Sequence, residues 1–383
     1  MKRKTVGIIT ILKVNNYGAE LQAFALQQKL QLMGYDSEII DYLFYKNKRY
    51  KREKISMPFY FYPLKMRIKE IILPFYEKMK LIGCYRENKK REKRFEDFHR
   101  NTKFSLKTYE SYSELYNTPP QYDVYCVGSD QVWNPGCYTN LSPYFLSFAS
   151  QDAKKISYAS SFGVSELPKS SKKMYAELLK KMSYISVRED AGVSIVRDLI
   201  NKEAELVADP TMLLTKEEWG DVEKEYENIP RRYVLIYELH PIEYIMIIAK
   251  KVARELNVPI VRICKSAKSI DEKDGIINIV DAGPAEFLSL VHNASCVVTN
   301  SFHGTVFSII YNRSFYCVVS DKIKNNSRQI SILNQCGLLD RLIYDRSDLL
   351  EFKFLEIDYG VPNERLESFR NSSVNYLKKA LDE

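Results

Sequence analysis

Hydrophobic positions along the chain follow two patterns, short β-branched runs and longer segments with helical spacing. Thr5–Leu12 is a continuous apolar run, which predicts a buried strand. Gly18–Met33 has apolar residues three and four positions apart, which predicts a buried helix. Glu38–Tyr42 predicts the next strand. A strand, a helix and a second strand in this order predict a βαβ unit, and therefore a parallel sheet with right-handed crossovers.

A second series of strands and helices begins near Pro230, and the chain closes with an amphipathic helix predicted over Glu364–Leu381. We predict an N-terminal domain over residues 1–220 and a C-terminal domain over 230–350. The last segment, 351–383, is expected to carry its helix back to the first domain. The predicted fold class is α/β, with two Rossmann-like domains that face a cleft.

Composition narrows the class of protein. The chain has 383 residues, of which 45% are hydrophobic and 28% charged, and this excludes wholesale disorder. No apolar run approaches the roughly 18 residues of a membrane span. The seven Cys include no CxxC pair and no Cys/His cluster. We therefore predict no metal site and no disulfide framework, and a reducing cytosol as the location.

The positive charge is concentrated in one segment. The whole chain carries +8, but Tyr42–Arg100 holds 18 Lys/Arg and 7 Asp/Glu, a net of +11, and the other 324 residues sum to −3. We predict a basic, helical insert at about 45–100. Its aromatic residues either pack on the main body or, with the basic residues, face an anionic membrane or a lipid-linked substrate. Nucleic acid is disfavoured, because no nucleic-acid-binding motif is present.

Ligands of open α/β sheets bind beyond the carboxyl ends of the strands, so loops after strands are the places to look for a site. The first such loop holds Asn16, Tyr17 and Gly18. The Gly lets the backbone approach a ligand, and the helix start offers N–H groups. The loop lacks a GxGxxG pattern, so no dinucleotide site is predicted. The alternative is a plain turn in which Asn caps the helix.

The second loop follows the predicted strand Tyr122–Val127. Asp130, Gln131 and Asn134 supply hydrogen-bonding groups for vicinal hydroxyls, and Trp133 offers an apolar face for a sugar ring. Asp130 could also act as a base toward a hydroxyl. The alternative is a capping Asp beside a packed Trp.

Two further loops carry a cation and a titratable group. Arg188 ends a short strand and could grip a carboxylate or phosphate bidentately, although its neighbours Glu189 and Asp190 also allow a simple ion pair. His303 lies where a strand meets a helix, a position suited to anion binding and proton exchange. A purely structural histidine is the alternative. From these residues alone we expect a two-domain, transferase-like protein that binds a polyol and an anion.

At these loops the sequence resembles the polysaccharide pyruvyl transferase family, in the family's order of motifs and over nearly the whole chain. The matching stretches are 7–10, 16–22, 122–123, 128–134, 156–159, 186–190, 207–211, 300–304 and 326–328.

The resemblance implies a GT-B-like fold and a pyruvyltransferase. Such an enzyme takes phosphoenolpyruvate as donor, needs no further cofactor or metal, forms a pyruvate ketal on a hexose of a polysaccharide or lipid-linked precursor, and releases phosphate. The resemblance implies a role in bacterial exopolysaccharide or capsule synthesis in the cytoplasm. Whether residues 42–100 also bring the protein into peripheral contact with the inner face of the membrane is left open. Two alternatives remain, a GT-B glycosyltransferase that uses a nucleotide sugar and a non-catalytic glycan-binding relative. The oligomeric state is left open.

The resemblance also implies roles for residues. His303 would be the general acid. The family often has an Arg two positions before this His, where this chain has Ser301. Two explanations are open. Either the charge of that Arg is replaced by Ser301, the helix start and Arg328 together, or the donor site differs. The implied donor-binding residues are Arg188, Ser301, Gly304 and Arg328. The implied acceptor-binding residues are Asn16, Tyr17, Gly18, Asp130, Gln131, Trp133 and Asn134.

Overall fold

The structure is a computed structural model. It describes residues 3–58, 68, 72, 84–265, 274–320, 326–344 and 352–383. The chain divides into two compact units. The first comprises Met1–Leu73, Arg100–Leu214 and Ser368–Glu383, and the second comprises Pro74–His99 and Thr215–Glu367.

A parallel sheet forms the centre of the first unit, with its strands in the order β3-β2-β1-β4-β5. The strands are β1 (Thr5–Ile9), β2 (Asp36–Tyr42), β3 (Phe104–Tyr109), β4 (Val124–Val127) and β5 (Lys154–Ser157). β1 pairs in parallel with both β2 and β4, which confirms the predicted parallel sheet. β3 was not predicted. It lies at the edge of the sheet, where most of its side chains are at least partly exposed, so no apolar run marks it.

Helices cover this sheet. Helix α1 (Tyr17–Leu32) follows β1 and starts at Asn16, whose Oδ1 accepts a hydrogen bond from the Ala19 amide at 3.3 Å. The unit also contains α3 (Tyr112–Asn117), α4 (Lys169–Leu179) and α5 (Asp190–Ile200). Apolar clusters lie on both faces of the sheet, which explains why its inner strands read as continuous apolar runs.

A short parallel pair of strands, β6 (Ser186–Val187) and β7 (Glu205–Leu206), extends the first unit. Isolated bridges join Asp130 to Ser160 and Ser160 to Val187. These bridges place the residues after β4 and β5 beside the end of β6.

The second unit contains a six-stranded parallel sheet in the order β10-β9-β8-β11-β12-β13, counted over the described residues. Its strands are β8 (Val234–Tyr237), β9 (Ile260–Ile263), β10 (Ile277–Ile279), β11 (Cys296–Thr299), β12 (Ser314–Val318) and β13 (Leu342–Ile343). Its helices include α6 (Lys216–Gly220), α7 (Glu243–Leu256), α8 (Pro284–His292), α9 (Phe302–Ile310) and α10 (Ser327–Cys336). Both units are therefore Rossmann-like, as predicted.

Part of the basic insert belongs to the second unit. Helix α2 (Tyr85–Phe98) places Arg94 Nη1 3.2 Å and Lys90 Nζ 2.9 Å from the Asp281 carboxylate. The insert's aromatic residues Phe44, Tyr45 and Tyr50 are buried in the first unit. The described parts of the insert therefore match the alternative in which its aromatic residues pack on the main body. The predicted helical residues 59–67, 69–71 and 73–83 lie outside the described residues.

The last helix, α11 (Gly360–Asp382), runs from the second unit into the first. Ser373 Oγ accepts a hydrogen bond from the Ala208 amide at 2.8 Å, and Leu377 and Leu381 are buried among the apolar residues around β1. Over the described ranges, none of the helices has the length and apolar character to cross a membrane. The same ranges contain no group of three His, Cys, Asp or Glu side chains placed to hold a metal ion.

Candidate functional site

Loops from four separate strands meet at the carboxyl edge of the first sheet. Thr10, after β1, donates a hydrogen bond from Oγ1 to the Ser129 carbonyl at 2.8 Å. Ser129, after β4, donates from Oγ to Asp209 Oδ2 at 2.8 Å, and Asp209 lies just after β7. Arg188, after β6, donates from Nη1 to the same Asp209 oxygen at 2.8 Å. The predicted loops after β1, β4 and β6 therefore form one hydrogen-bonded network, together with the loop after β7, which was not predicted to carry site residues.

The centre of this network is a buried arginine. Besides Asp209, the Arg188 guanidinium contacts Asp130 Oδ1 from Nη2 at 3.3 Å and Glu189 Oε2 from Nε at 3.9 Å. The side chains of Arg188, Glu189 and Asp209 are fully buried. We call these four residues, with Ser129, the Arg188 cluster.

Electrostatics make this cluster a poor place for an anion. Burial alone lowers the pKa of Arg188, but the Coulomb attraction of Asp209, Asp130 and Glu189 outweighs burial, so the pKa is raised. The cluster sets one cation against three carboxyl groups. Arg188 was predicted to hold the donor carboxylate or phosphate. Its guanidinium is instead buried and paired with protein carboxylates, so it is not placed to grip a ligand anion.

The three carboxylates differ in what else they contact. Glu189 Oε1 accepts hydrogen bonds from Ser161 Oγ at 2.8 Å and from the Phe162 amide at 3.0 Å. Asp209 Oδ1 accepts from the Thr211 amide and hydroxyl at 3.0 and 2.7 Å. Asp130 is the partly open member, with a side chain that is 14% exposed. Only Asp130 in the Arg188 cluster therefore presents a carboxylate toward solvent.

Trp133 does not have the role that we predicted. Its side chain is fully buried, its ring stacks on Phe145 at 5.2 Å and tilts against Phe162 at 5.1 Å, and Nε1 donates to the Tyr144 carbonyl at 2.8 Å. Trp133 therefore offers no open face to a sugar. The alternative of a packed Trp is therefore the correct one, because an indole whose N–H donates to a buried acceptor is stable in a core.

The two amides beside Trp133 are partly exposed. Asn134 donates from Nδ2 to Gln131 Oε1 at 2.5 Å and accepts on Oδ1 from the Gly136 amide at 2.7 Å. Gly163 lies against this pair with a positive φ of 63°, and a Cβ there would come within 2.3 Å of Gln131 Oε1. The amides are thus held in one arrangement next to Asp130.

The three residues predicted as ligand contacts in the loop after β1 differ in solvent exposure. Asn16 is exposed, whereas Tyr17 and Gly18 are buried. Asn16 caps α1, as the turn alternative expected. The loop is further fixed by Glu20 Oε1, which accepts from the Lys13 amide at 2.9 Å. Of the three predicted residues, only Asn16 has a side chain open to a ligand.

In the second unit, the residues between β11 and α9 form a compact helix start. Ser301 is the N-cap, and its Oγ accepts from the Gly304 amide at 3.3 Å. A Cβ at Gly304 would lie 2.5 Å from Thr299 Oγ1, so glycine allows the helix to pack against its own strand. His303 lies in the first turn, is 7% exposed and meets the Phe302 ring edge-on at 5.1 Å.

Asn300 joins this helix start to its neighbours, although we did not predict it as a site residue. Its Oδ1 accepts from the Leu239 amide and its Nδ2 donates to the His240 carbonyl, both at 2.7 Å. Gln329, in the first turn of α10, donates to the Asn300 carbonyl at 3.1 Å. The predicted donor residue Arg328 is adjacent to Gln329 and is buried. His303, Ser301, Gly304 and Arg328 thus belong to the second unit, and Arg188 and Asp130 to the first.

Asp209, Glu189 and Ser129 were also not predicted as site residues. Asp209 lies three positions after β7, much as Asp130 lies three positions after β4, but β7 is only two residues long and begins with the exposed Glu205. Pairing between such distant positions is visible only once the strand order is known.

A family model of polysaccharide pyruvyl transferase matches residues 16–322 of the chain. A comparison with curated proteins finds no match. Among solved structures, UDP-GlcNAc 2-epimerase from Methanocaldococcus jannaschii is similar at 13% identity, over 99% of this chain and 93% of that chain, with a TM-score of 0.50. A proposed UDP-N-acetylglucosamine 2-epimerase from Listeria monocytogenes is similar at 9% identity, over 100% and 90%, also with a TM-score of 0.50. At these identities the likeness shows the fold alone, and it confirms the predicted GT-B-like class.

Proposed function

Because the chain belongs to the polysaccharide pyruvyl transferase family, we propose that it transfers a pyruvyl group from phosphoenolpyruvate to two hydroxyls of one hexose. The acceptor is a polysaccharide or a lipid-linked glycan precursor, the product is a pyruvate ketal, and phosphate is released. The observation that carries this proposal is the span of the family model, since residues 16–322 include the strand-end loops of both units.

The reaction defines what the protein must supply. The methylene carbon C3 of phosphoenolpyruvate gains a proton and becomes the ketal methyl group. The bond from C2 to the phosphate oxygen breaks, and two bonds from C2 to acceptor oxygens form. The two acceptor hydroxyls lose two protons, of which one balances the proton gained by C3 and the other leaves with phosphate. The protein therefore needs an acid near the donor, groups that hold a phosphate, and groups that hold two hydroxyls.

The second unit suits the donor. We assign His303 as the general acid because imidazole exchanges protons near neutral pH and because this residue lies in the first turn of α9. The N-terminal end of α9 carries a partial positive charge that favours a phosphate or carboxylate. Ser301 and Gly304 shape that helix start, and Arg328 supplies the nearby cation of the proposed donor site.

The first unit suits the acceptor. The Asp130 carboxylate and the Gln131 and Asn134 amides are partly exposed and adjacent, and they match the hydroxyls of a sugar. Asn16 is the exposed residue of the neighbouring loop. Trp133 supports this surface from within the core. The three carboxyl groups around Arg188 also favour a neutral polyol over a second anion.

The test is phosphate release from phosphoenolpyruvate in the presence of a panel of galactosides, mannosides and lipid-linked precursors. We expect release with at least one acceptor and only background release without acceptor. Thermal shifts with phosphoenolpyruvate and with nucleotide sugars identify the alternatives. A shift with nucleotide sugars alone would favour a glycosyltransferase, and no shift and no release with any compound would favour a non-catalytic relative.

A further inference from the structure

The Arg188 cluster contains one carboxylate that is arranged differently from the other two. Glu189 and Asp209 are sealed in the core, whereas Asp130 remains 14% exposed. Arg188 contacts Asp130 only through Oδ1. The other oxygen, Oδ2, makes no hydrogen bond or ion pair with any residue that the structure describes.

The backbone of Asp130 is also unusual. Its φ is +70°, in the left-handed region that residues other than glycine seldom adopt. The Asp130 carbonyl accepts from the Ser161 amide at 3.0 Å, and the residue pairs with Ser160 in an isolated bridge. Such a conformation persists only where the surrounding structure fixes it, and it tends to occur at functional sites. Asp130 is thus held at the strand end by contacts on both its backbone and its side chain.

The guanidinium that contacts Asp130 is itself held by two other side chains. Nη1 is anchored to Asp209 Oδ2 at 2.8 Å and to Ser129 Oγ at 3.3 Å. The planar guanidinium then fixes the direction of Nη2, which donates to Asp130 Oδ1 at 3.3 Å. A lysine could supply the charge but not this rigid fork. The Arg188 side chain is fully buried, so its effect on a ligand would pass through Asp130.

We propose that Asp130 is the base that removes a proton from an acceptor hydroxyl and that Arg188 is a positioning residue for that base. This inference rests on the proposed function. The O–H bond of the hydroxyl breaks as its oxygen bonds to C2 of the donor, and the proton moves to Asp130 Oδ2. The proton then passes to solvent, which restores the carboxylate. The ligand class at this position is a neutral sugar hydroxyl, because the Arg188 guanidinium is already paired with Asp209, Asp130 and Glu189.

The first part of the test is Asp130→Asn, which keeps the shape and removes the base. We expect the kcat of acceptor-dependent phosphate release to fall by roughly 10²–10⁴-fold, with a much smaller change in acceptor KM and an unchanged melting temperature. Asp190→Asn, which changes the exposed acid at the first residue of α5, is the matched control and should keep wild-type kcat.

The second part is a double-mutant cycle with Arg188→Lys. If Arg188 acts through Asp130, Arg188→Lys lowers kcat in the wild-type background and has no further effect in the Asp130→Asn background. A double variant that is slower by the product of both effects would overturn the positioning role. Should Arg188→Lys fail to fold, Ser129→Ala loosens the same guanidinium and completes the cycle.

The outcomes separate the two proposals. If the wild-type protein is active and Asp130→Asn is equally active, the base assignment is overturned while the proposed function stands. If the wild-type protein releases no phosphate with any acceptor, the proposed function fails, and the base assignment that rests on it fails too.

Discussion

The two strand-end regions of this protein are built in opposite ways. The Arg188 cluster of the first unit is organised by charge, with a buried cation surrounded by three carboxylates. The loop from β11 to α9 in the second unit is organised by neutral groups, the Ser301 cap and the Asn300 amide. Buried charges must be paired, so the first region has little capacity left for an anion. The start of α9 in the second region carries a partial positive charge, which favours an anion.

The largest effect that would test this contrast is on catalysis in the second unit. We expect His303→Gln to reduce phosphate release by roughly 10²–10⁴-fold, because it removes the proposed acid, and to leave the melting temperature unchanged. His292→Gln is the matched control, since His292 packs on Tyr311 and contacts Glu223 in the same unit. Equal rates for His303→Gln and wild type would remove His303 from the mechanism.

The next effect is on stability in the first unit. Asp209→Ala removes the closest carboxylate of Arg188 and the acceptor of four hydrogen bonds. We expect a loss of about 3 kcal/mol or more in the free energy of unfolding, measured with denaturant. Glu166→Ala breaks an exposed pair with Lys172 and should cost less than about 1 kcal/mol. Similar losses for both variants would show that charge does not organise the cluster.

A smaller effect distinguishes packing from binding at Trp133. Trp133→Phe leaves the buried Tyr144 carbonyl without its donor and reduces core volume. We expect a loss of about 1–3 kcal/mol in unfolding free energy and an unchanged acceptor KM. Unchanged stability together with a raised acceptor KM would instead support the original prediction that the Trp133 ring contacts the sugar.

The smallest effect is at the cap of α9. Ser301→Ala should cost about 1 kcal/mol of stability, and so should Ser111→Ala, which removes the equivalent cap of α3. Only Ser301→Ala should also raise the KM for phosphoenolpyruvate. If both variants keep wild-type KM, Ser301 is a cap and nothing more.

These regions also show which parts of the fold the sequence pattern could predict. Inner strands such as β1 and β11 are covered on both faces, so their apolar runs were enough to predict them and the parallel fold. Edge strand β3 was missed because Leu106 and its neighbours are exposed and carry no such signal. The basic insert was predicted from charge, but its described part packs through Arg94 and Lys90 onto Asp281, a partner that charge counting cannot identify.

The site residues follow the same rule. Asp130 and His303 could be singled out because each lies within a few residues of the end of a strand. The pairing of Arg188 with Asp209 could not, since it depends on the spatial order of β4, β6 and β7. Trp133 was misassigned because polar neighbours in sequence suggested exposure, whereas its ring points into the core. Spatial partners, rather than residue types, decide between a ligand contact and a structural one.

The most direct test of the central claim is the structure of the product. An acceptor that supports phosphate release is incubated with the protein and phosphoenolpyruvate in D₂O and analysed by NMR and mass spectrometry. We predict one pyruvate ketal per phosphate released, with deuterium incorporated into the ketal methyl group because C3 is protonated during transfer. Phosphate without a ketal, or an acceptor modified only when a nucleotide sugar is supplied, would contradict the account.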